Sequence, residues 1–206
     1  LPIDLNRTKK IAVIGENALK MMTVGGGSSS LKVQYECSTL DGIKRRIGDG
    51  IEISYARGYV GDTGGQFDGV SSGQNLKDDR SARQLIEEAV RIAQSADYVI
   101  FIGGLNKSGH QDCEDTDRKG LELPYKQDKV IGALANISGN AVAMPWISEV
   151  PAVIQAWYLG TEAGNAIASV LVGDVNPSGK LPFTFPEKLE DVGAHQLGDY
   201  PGRQRE

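Results

Sequence analysis

The chain has 206 residues, 40% of them hydrophobic, and a net charge of −5 from 22 lysines and arginines against 27 aspartates and glutamates. That length supports one good core. The scattered cations form no basic stripe, which argues against a nucleic-acid binder, and no stretch approaches the roughly 18 to 20 apolar residues of a membrane span.

The start at Leu1 without an initiator Met, and the polar run at the other end, read as cuts through a longer polypeptide. Ile11 to Ile14 is wholly apolar and bounded by Lys9-Lys10 and Gly15, as expected of a buried parallel strand. A loop from Glu16 to Ser30 follows, carrying Gly25-Gly26-Gly27 and three serines. It is not a dinucleotide fingerprint, because the glycine triplet opens no helix directly.

Thr39 can cap a helix in which Leu40, Ile43 and Ile47 share a face and Gly48 is the stop. Ile51 to Tyr55 alternates as a strand, and the Gly- and Asp-rich stretch 58–74 reads as a surface excursion. Ser81 starts the clearest helix, with Ala82, Leu85, Ile86, Ala89, Val90, Ala93 and Ala96 at three- and four-residue steps. It feeds a strand over Tyr98 to Ile102.

A long polar loop, Gly103 to Arg118, leaves that strand. Pro124 is suited to the first turn of the next helix, whose buried face is Val130, Ile131 and Leu134. Only Ala135 and Asn136 then separate Leu134 from Ile137-Ser138-Gly139, too few for a returning strand, so this unit is abbreviated or residues are missing. Val153 to Trp157 reads as a strand. Thr161 to Val172 reads as a helix with Ala163, Ile167, Val170 and Leu171 inward, and Leu181 to Phe185 as a short edge strand. The alternation predicts an α/β fold, a mostly parallel sheet sandwiched between helices, with ligands at the carboxyl ends of the strands. The loops 15–30, 103–118 and 138–146 start there.

The 103–118 loop carries Asp112, Glu114, Asp115 and Asp117 within six residues. Metal binding is disfavoured: no zinc spacing is present, and a calcium loop starting at Asp115 would place Lys119 and Lys126 at ligand positions. General acid/base work is open, since neighbouring carboxylates would raise the Glu114 pKa while Arg118 would lower it. For Asp117 and Arg118 a structural pair anchoring the loop is the favoured reading. A serine nucleophile has no Gly-x-Ser-x-Gly elbow, and the histidines are only His110 and His195.

Several ordered motifs carry a resemblance. They are Lys10 to Gly15, the Gly25-Gly26-Gly27-Ser28-Ser29 loop, Glu114-Asp115-Thr116-Asp117-Arg118 with Leu121-Glu122-Leu123-Pro124 and Gln127, Met144-Pro145-Trp146, Trp157 to Gly164, and Gly173 to Pro182. Together they resemble the second domain of glycoside hydrolase family 3. The resemblance implies a retaining, exo-acting β-glycosidase whose site lies between a TIM-like barrel and this sandwich. Residues 1–186 are expected to form the sandwich and 187–206 to lead out of it; no segment resembles the barrel, which carries the family's aspartate nucleophile.

On this resemblance Glu114 is the general acid/base. Gly27, Ser28, Asn106 and Asp115 contact the substrate, an oligosaccharide or an aryl or alkyl β-glycoside, and Asp117 and Arg118 support the loop. Asp115 stands where relatives often have glycine. No metal and no cofactor is expected. Retaining hydrolysis needs two carboxyl groups about 5 to 5.5 Å apart, so a loop long enough to reach another domain's pocket suits the second of them. The rival is a non-catalytic carbohydrate-binding or interface module of the same fold; a nucleotide-binding domain lacks its phosphate loop.

Overall fold

The apolar run after Lys10 forms strand β1, Lys10–Ile14. Its alternation sends Ile11 and Val13 into one cluster and Ala12 and Ile14 into another, and all four are fully buried, as in a strand covered on both faces. β2, Glu52–Ala56, and β3, Tyr98–Phe101, flank it in parallel in the order β2-β1-β3, with Ile11 opposite Ile53 and Tyr98. The structure is a computed structural model that describes residues 1–21, 33–61, 76–106, 110–111, 118, 120–135 and 144–198.

Helix α1, Thr39–Ile47, joins β1 to β2. The cap is Ser38 rather than Thr39. Its hydroxyl accepts the Asp41 N–H at 3.1 Å and donates to the Asp41 carboxylate at 2.7 Å, because the residue one earlier is the one that keeps extended backbone angles. Helix α2, Ala82–Ala93, opens on a capping box: Ser81 accepts the Gln84 N–H at 3.3 Å while Gln84 accepts the Ser81 N–H at 2.9 Å. Helices α3, Gln127–Ala135, and α4, Ala163–Val172, complete the two layers, and α5, Gly193–Gln196, is one turn.

Leu40 and Ile43 of α1 and Ala168 and Leu171 of α4 cover the Ile11 and Val13 face. Ala89 of α2 and Val130 of α3 cover the Ala12 and Ile14 face. The fold is therefore the expected parallel sheet between helices. Asp97 ties the strand starts together by accepting the N–H groups of Lys9 and Lys10 at 2.8 and 3.0 Å, bonds that hold its carboxyl below the ordinary range. Since α1 and α2 lie on opposite faces, the chain reverses its winding at β1, and open α/β sheets bind ligands beyond the carboxyl end of such a strand.

Four local expectations change. Val153–Trp157 and Leu181–Phe185 form no strands; Val153, Trp157, Phe183 and Phe185 are exposed, and β3 leaves Tyr98 and Val99 exposed as well. A strand is completed by a neighbour's hydrogen bonds, and no described segment bridges β3 to either run. They meet through side chains instead, Trp157 edge-on to Phe183 at 5.7 Å and Phe183 against Phe185 at 5.0 Å. In α4 the buried positions are Gly164, Ala168 and the expected Leu171, with Ile167 partly buried against the same core; Gly164 and Ala168 were not expected, and Gly164 lies directly against α1. Pro124 heads a separate 3-10 turn, Pro124–Lys126, whose Tyr125 has φ 58°, so α3 begins at Gln127.

Candidate active site

Three loops leave the carboxyl ends of the strands, and their roots meet around a buried carboxylate. Gly15 ends β1 with φ 124°, where a side chain would collide with the Ile102 carbonyl. The chain then turns through a 3-10 segment, Glu16–Ala18, that places Glu16 inside with no exposed surface. Arg57, the residue after β2, donates to Glu16 Oε2 from Nε at 3.1 Å and from Nη2 at 2.8 Å, and the Gly61 N–H donates to the same oxygen at 2.9 Å. Lys20 Nζ lies 2.8 Å from Oε1 in a charge contact whose angles fall short of a hydrogen bond.

Arg57 also reaches Asp78 at 3.4 Å and the Leu76 carbonyl, which links Glu16 to a second carboxylate beneath the loops. The Arg80 guanidinium hydrogen-bonded to Asp78 holds that carboxyl far below the usual carboxylate range. A Cβ on Gly61 would lie 2.8 Å from Glu16 Oε1, 3.0 Å from Asn106 Nδ2 and 3.1 Å from Lys20 Nζ, so a side chain there would press on all three. Asn106 is fully buried here, and neither amide atom has a hydrogen-bond partner among the described residues.

The acidic loop is held at several points on either side of its charged stretch. Gln127, fully buried at the head of α3, accepts the Gly104 N–H and donates to the Gly104 carbonyl, both at 2.8 Å. The Asn106 N–H donates to Gln111 Oε1 at 2.8 Å, and Gln111 Nε2 donates to the Tyr125 hydroxyl at 2.5 Å. The Tyr125 ring stacks on Tyr59 at 6.4 Å and 5°. Burial raises the Tyr59 phenol well above its ordinary pKa, and its hydroxyl accepts the Asn17 N–H at 3.3 Å and donates to the Ile102 carbonyl at 3.5 Å. Beyond the acids, exposed Arg118 donates to the carbonyls of Leu121 and Glu122 at 3.2 and 3.3 Å. Asp128 then accepts the Leu123 N–H at 2.9 Å and the Trp146 indole N–H at 2.8 Å, which brings the 138–146 loop's last residue to the same end of the sheet.

Of the residues singled out in the sequence, Asn106 and Arg118 are thus placed, Asn106 inside and Arg118 at the loop's far root. Gly27, Ser28, Glu114, Asp115 and Asp117 lie outside the described residues. Glu16, Lys20 and Arg57 had no site role in the sequence reading, and Gln127 entered it only as part of a family motif. The available signal was position: a charged residue within two positions of the end of β1 and of β2, with Lys20 four residues beyond Glu16.

Residues 1–205 match the profile described as the Glycosyl hydrolase family 3 C-terminal domain. Beta-glucosidase BoGH3A of Bacteroides ovatus is 46% identical over 98% of this chain, which spans 28% of that relative. A beta-xylosidase of Formosa agariphila is 32% identical over 93% of the chain and 26% of its own length. The crystal structure of a Bifidobacterium adolescentis GH3 beta-glucosidase superposes with TM-score 0.74 at 30% identity, covering 99% of this chain and 28% of that one. The chain therefore spans little more than a quarter of these relatives. The alignment to the Bacteroides protein runs over 213 residues, more than the 206 of this chain, so that relative carries residues within the matched span that this chain lacks. The sequence reading expects such a gap after Leu134, where 136–143 lie outside the described residues.

Proposed function

The chain belongs to glycosyl hydrolase family 3 through its C-terminal domain, and on that premise we propose that it is the acid/base-bearing domain of a longer, retaining, exo-acting β-glycosidase. Its substrates are β-glucosides or β-xylosides, the sugars named for its relatives. Residues 1–186 form the sandwich and 187–206 lead out of it. A TIM-like barrel elsewhere in the longer protein supplies the nucleophile.

Glu114 protonates the leaving glycosidic oxygen while the nucleophile attacks the anomeric carbon. The same carboxylate then takes a proton from the water that cleaves the glycosyl-enzyme ester. Gly27, Ser28 and Asp115 contact the sugar. Asn106 belongs to the same set, and in this chain it is buried beside Glu16. The observation that supports this reading is the anchoring of the acidic loop on both sides: Gln127 and Gln111 hold its start, and Arg118 bonds to the turn beyond it. A general acid must be delivered to one place, and a segment of six residues, 112–117, between fixed ends is suited to that.

The test is Glu114→Ala in the full-length protein, comparing leaving groups. For alkyl β-glycosides, which need protonation, kcat/KM should fall by roughly 100- to 10,000-fold, the usual worth of a general acid. For dinitrophenyl β-glycosides, whose phenolate leaves unaided, kcat/KM should hold. An equal loss on both substrates would sink the assignment.

A further inference from the structure

Gln127 touches no sugar in any reading of this chain, yet it is fully buried and spends both polar atoms on a single residue of another segment. Gly104, its partner, has φ 134° and lies three residues past β3, where no described strand takes its N–H or C=O. The Gln127 amide replaces that neighbour, so the backbone at the loop's origin is fixed in direction by two opposed hydrogen bonds. A side chain at Gly103 would strike both Gln127 Oε1 and the Phe101 ring, so the clamp and the loop origin fit only each other.

Two residues on, the Asn106 N–H meets Gln111, and Gln111 is braced by the Tyr125 hydroxyl. Tyr125 comes from the turn before α3 and has φ 58°, a conformation a non-glycine residue adopts at a cost. That backbone carries the hydroxyl to Gln111, and its ring is backed by Tyr59. Both contacts thus come from Tyr125 to Gln127, and both end on the loop upstream of the acids. Gln111 stands three residues before Glu114.

We propose that Gln127 and Gln111 are positioning residues for the Glu114 carboxyl: the Gln127–Gly104 clamp and the Gln111–Tyr125 strut set where the acidic segment leaves the domain. The inference rests on the acid/base reading of Glu114. A misplacement of about 1 Å far from the chemistry can cost about 100-fold in rate, which is the scale on which such anchors matter. Isosteric loss of the clamp disturbs proton delivery while leaving attack by the nucleophile intact.

The experiment uses Gln127→Met and Gln111→Met in the full-length protein, with Glu114→Ala alongside. Both methionine variants should lower kcat/KM for an alkyl β-glucoside by roughly 10- to 100-fold and leave that for a dinitrophenyl β-glucoside within about twofold. Azide should raise kcat on the dinitrophenyl substrate, because a displaced base slows deglycosylation. A purely structural role predicts equal losses on both substrates, in step with the folded fraction, and that outcome or an unchanged alkyl rate overturns the proposal. Gln111 is only half-buried, so its variant decides the matter if Gln127→Met does not fold. Should Glu114→Ala itself lack leaving-group selectivity, the acid/base reading fails and the positioning inference falls with it. Selectivity in Glu114→Ala alone overturns only the positioning inference.

Discussion

Glu16 carries more of the structure than its place in the sequence suggests. Its carboxylate is closed off from solvent and receives Arg57, Lys20 and the Gly61 N–H, joining the ends of β1 and β2 to the loops that follow. Removing one partner from a buried ion pair strands the other charge, a larger loss than the net worth of the pair. Arg57→Met is therefore expected to destabilise the fold by roughly 3–5 kcal/mol, seen as a lower urea midpoint. Lys20→Met should cost less, because it removes its own buried charge and leaves both Arg57 hydrogen bonds to Glu16 in place. The reverse order would mean that Lys20 holds the carboxylate. The Glu16–Arg57 pairing was not legible in the sequence: the two lie 41 residues apart, and their pairing depends on β1 and β2 running side by side.

At the level of elements, the signals that survived folding were those complete within a few residues. Periodicity located α1, α2 and α4, Ser81 marked the start of α2 and Gly48 the end of α1, and an unbroken apolar run located β1. The signals that failed need a partner elsewhere in the chain. Val153 to Trp157 and Leu181 to Phe185 have strand-like composition, but no described strand lies beyond β3 to pair with them.

Packing between α1 and α4 was also hidden, because it depends on small residues that carry no hydrophobic signal. A side chain on Gly42 would collide with the Gly164 carbonyl, and one on Gly164 with the Ser38 carbonyl; the Gly164 N–H donates to the Cys37 carbonyl at 3.1 Å. Gly42→Ala should push the helices apart and cost about 1–3 kcal/mol, the usual range for overpacking, despite alanine's better helix propensity. Urea unfolding that shows a stabilised Gly42→Ala would contradict the close approach.

The whole molecule is a sheet with helices on both faces and long loops gathered at one end, and on the proposed reading it supplies one of two catalytic carboxyl groups. The α/β class and the family were readable from the ordered motifs, and the family profile covers residues 1–205. The loop proposed to carry the acid/base also stood out in the sequence, because Gly103 to Arg118 is long, polar and acidic at the end of an apolar run. The sequence could not show how that loop is held, since Gln127 acts across 23 residues through backbone bonds to Gly104. Retaining hydrolysis requires a second carboxyl group to form the glycosyl-enzyme, and the chain spans only 28% of a full-length relative.

In the proposed reaction everything rests on Glu114 acting as the acid/base. The decisive measurement is the product formed by the full-length Glu114→Ala protein from a dinitrophenyl β-glucoside in the presence of azide. With the base removed, azide should attack the glycosyl-enzyme, forming the C–N bond as the ester C–O bond breaks. The result is restored turnover and a β-glucosyl azide with the substrate's anomeric configuration. Turnover unaffected by azide, with no glucosyl azide formed, would contradict the account.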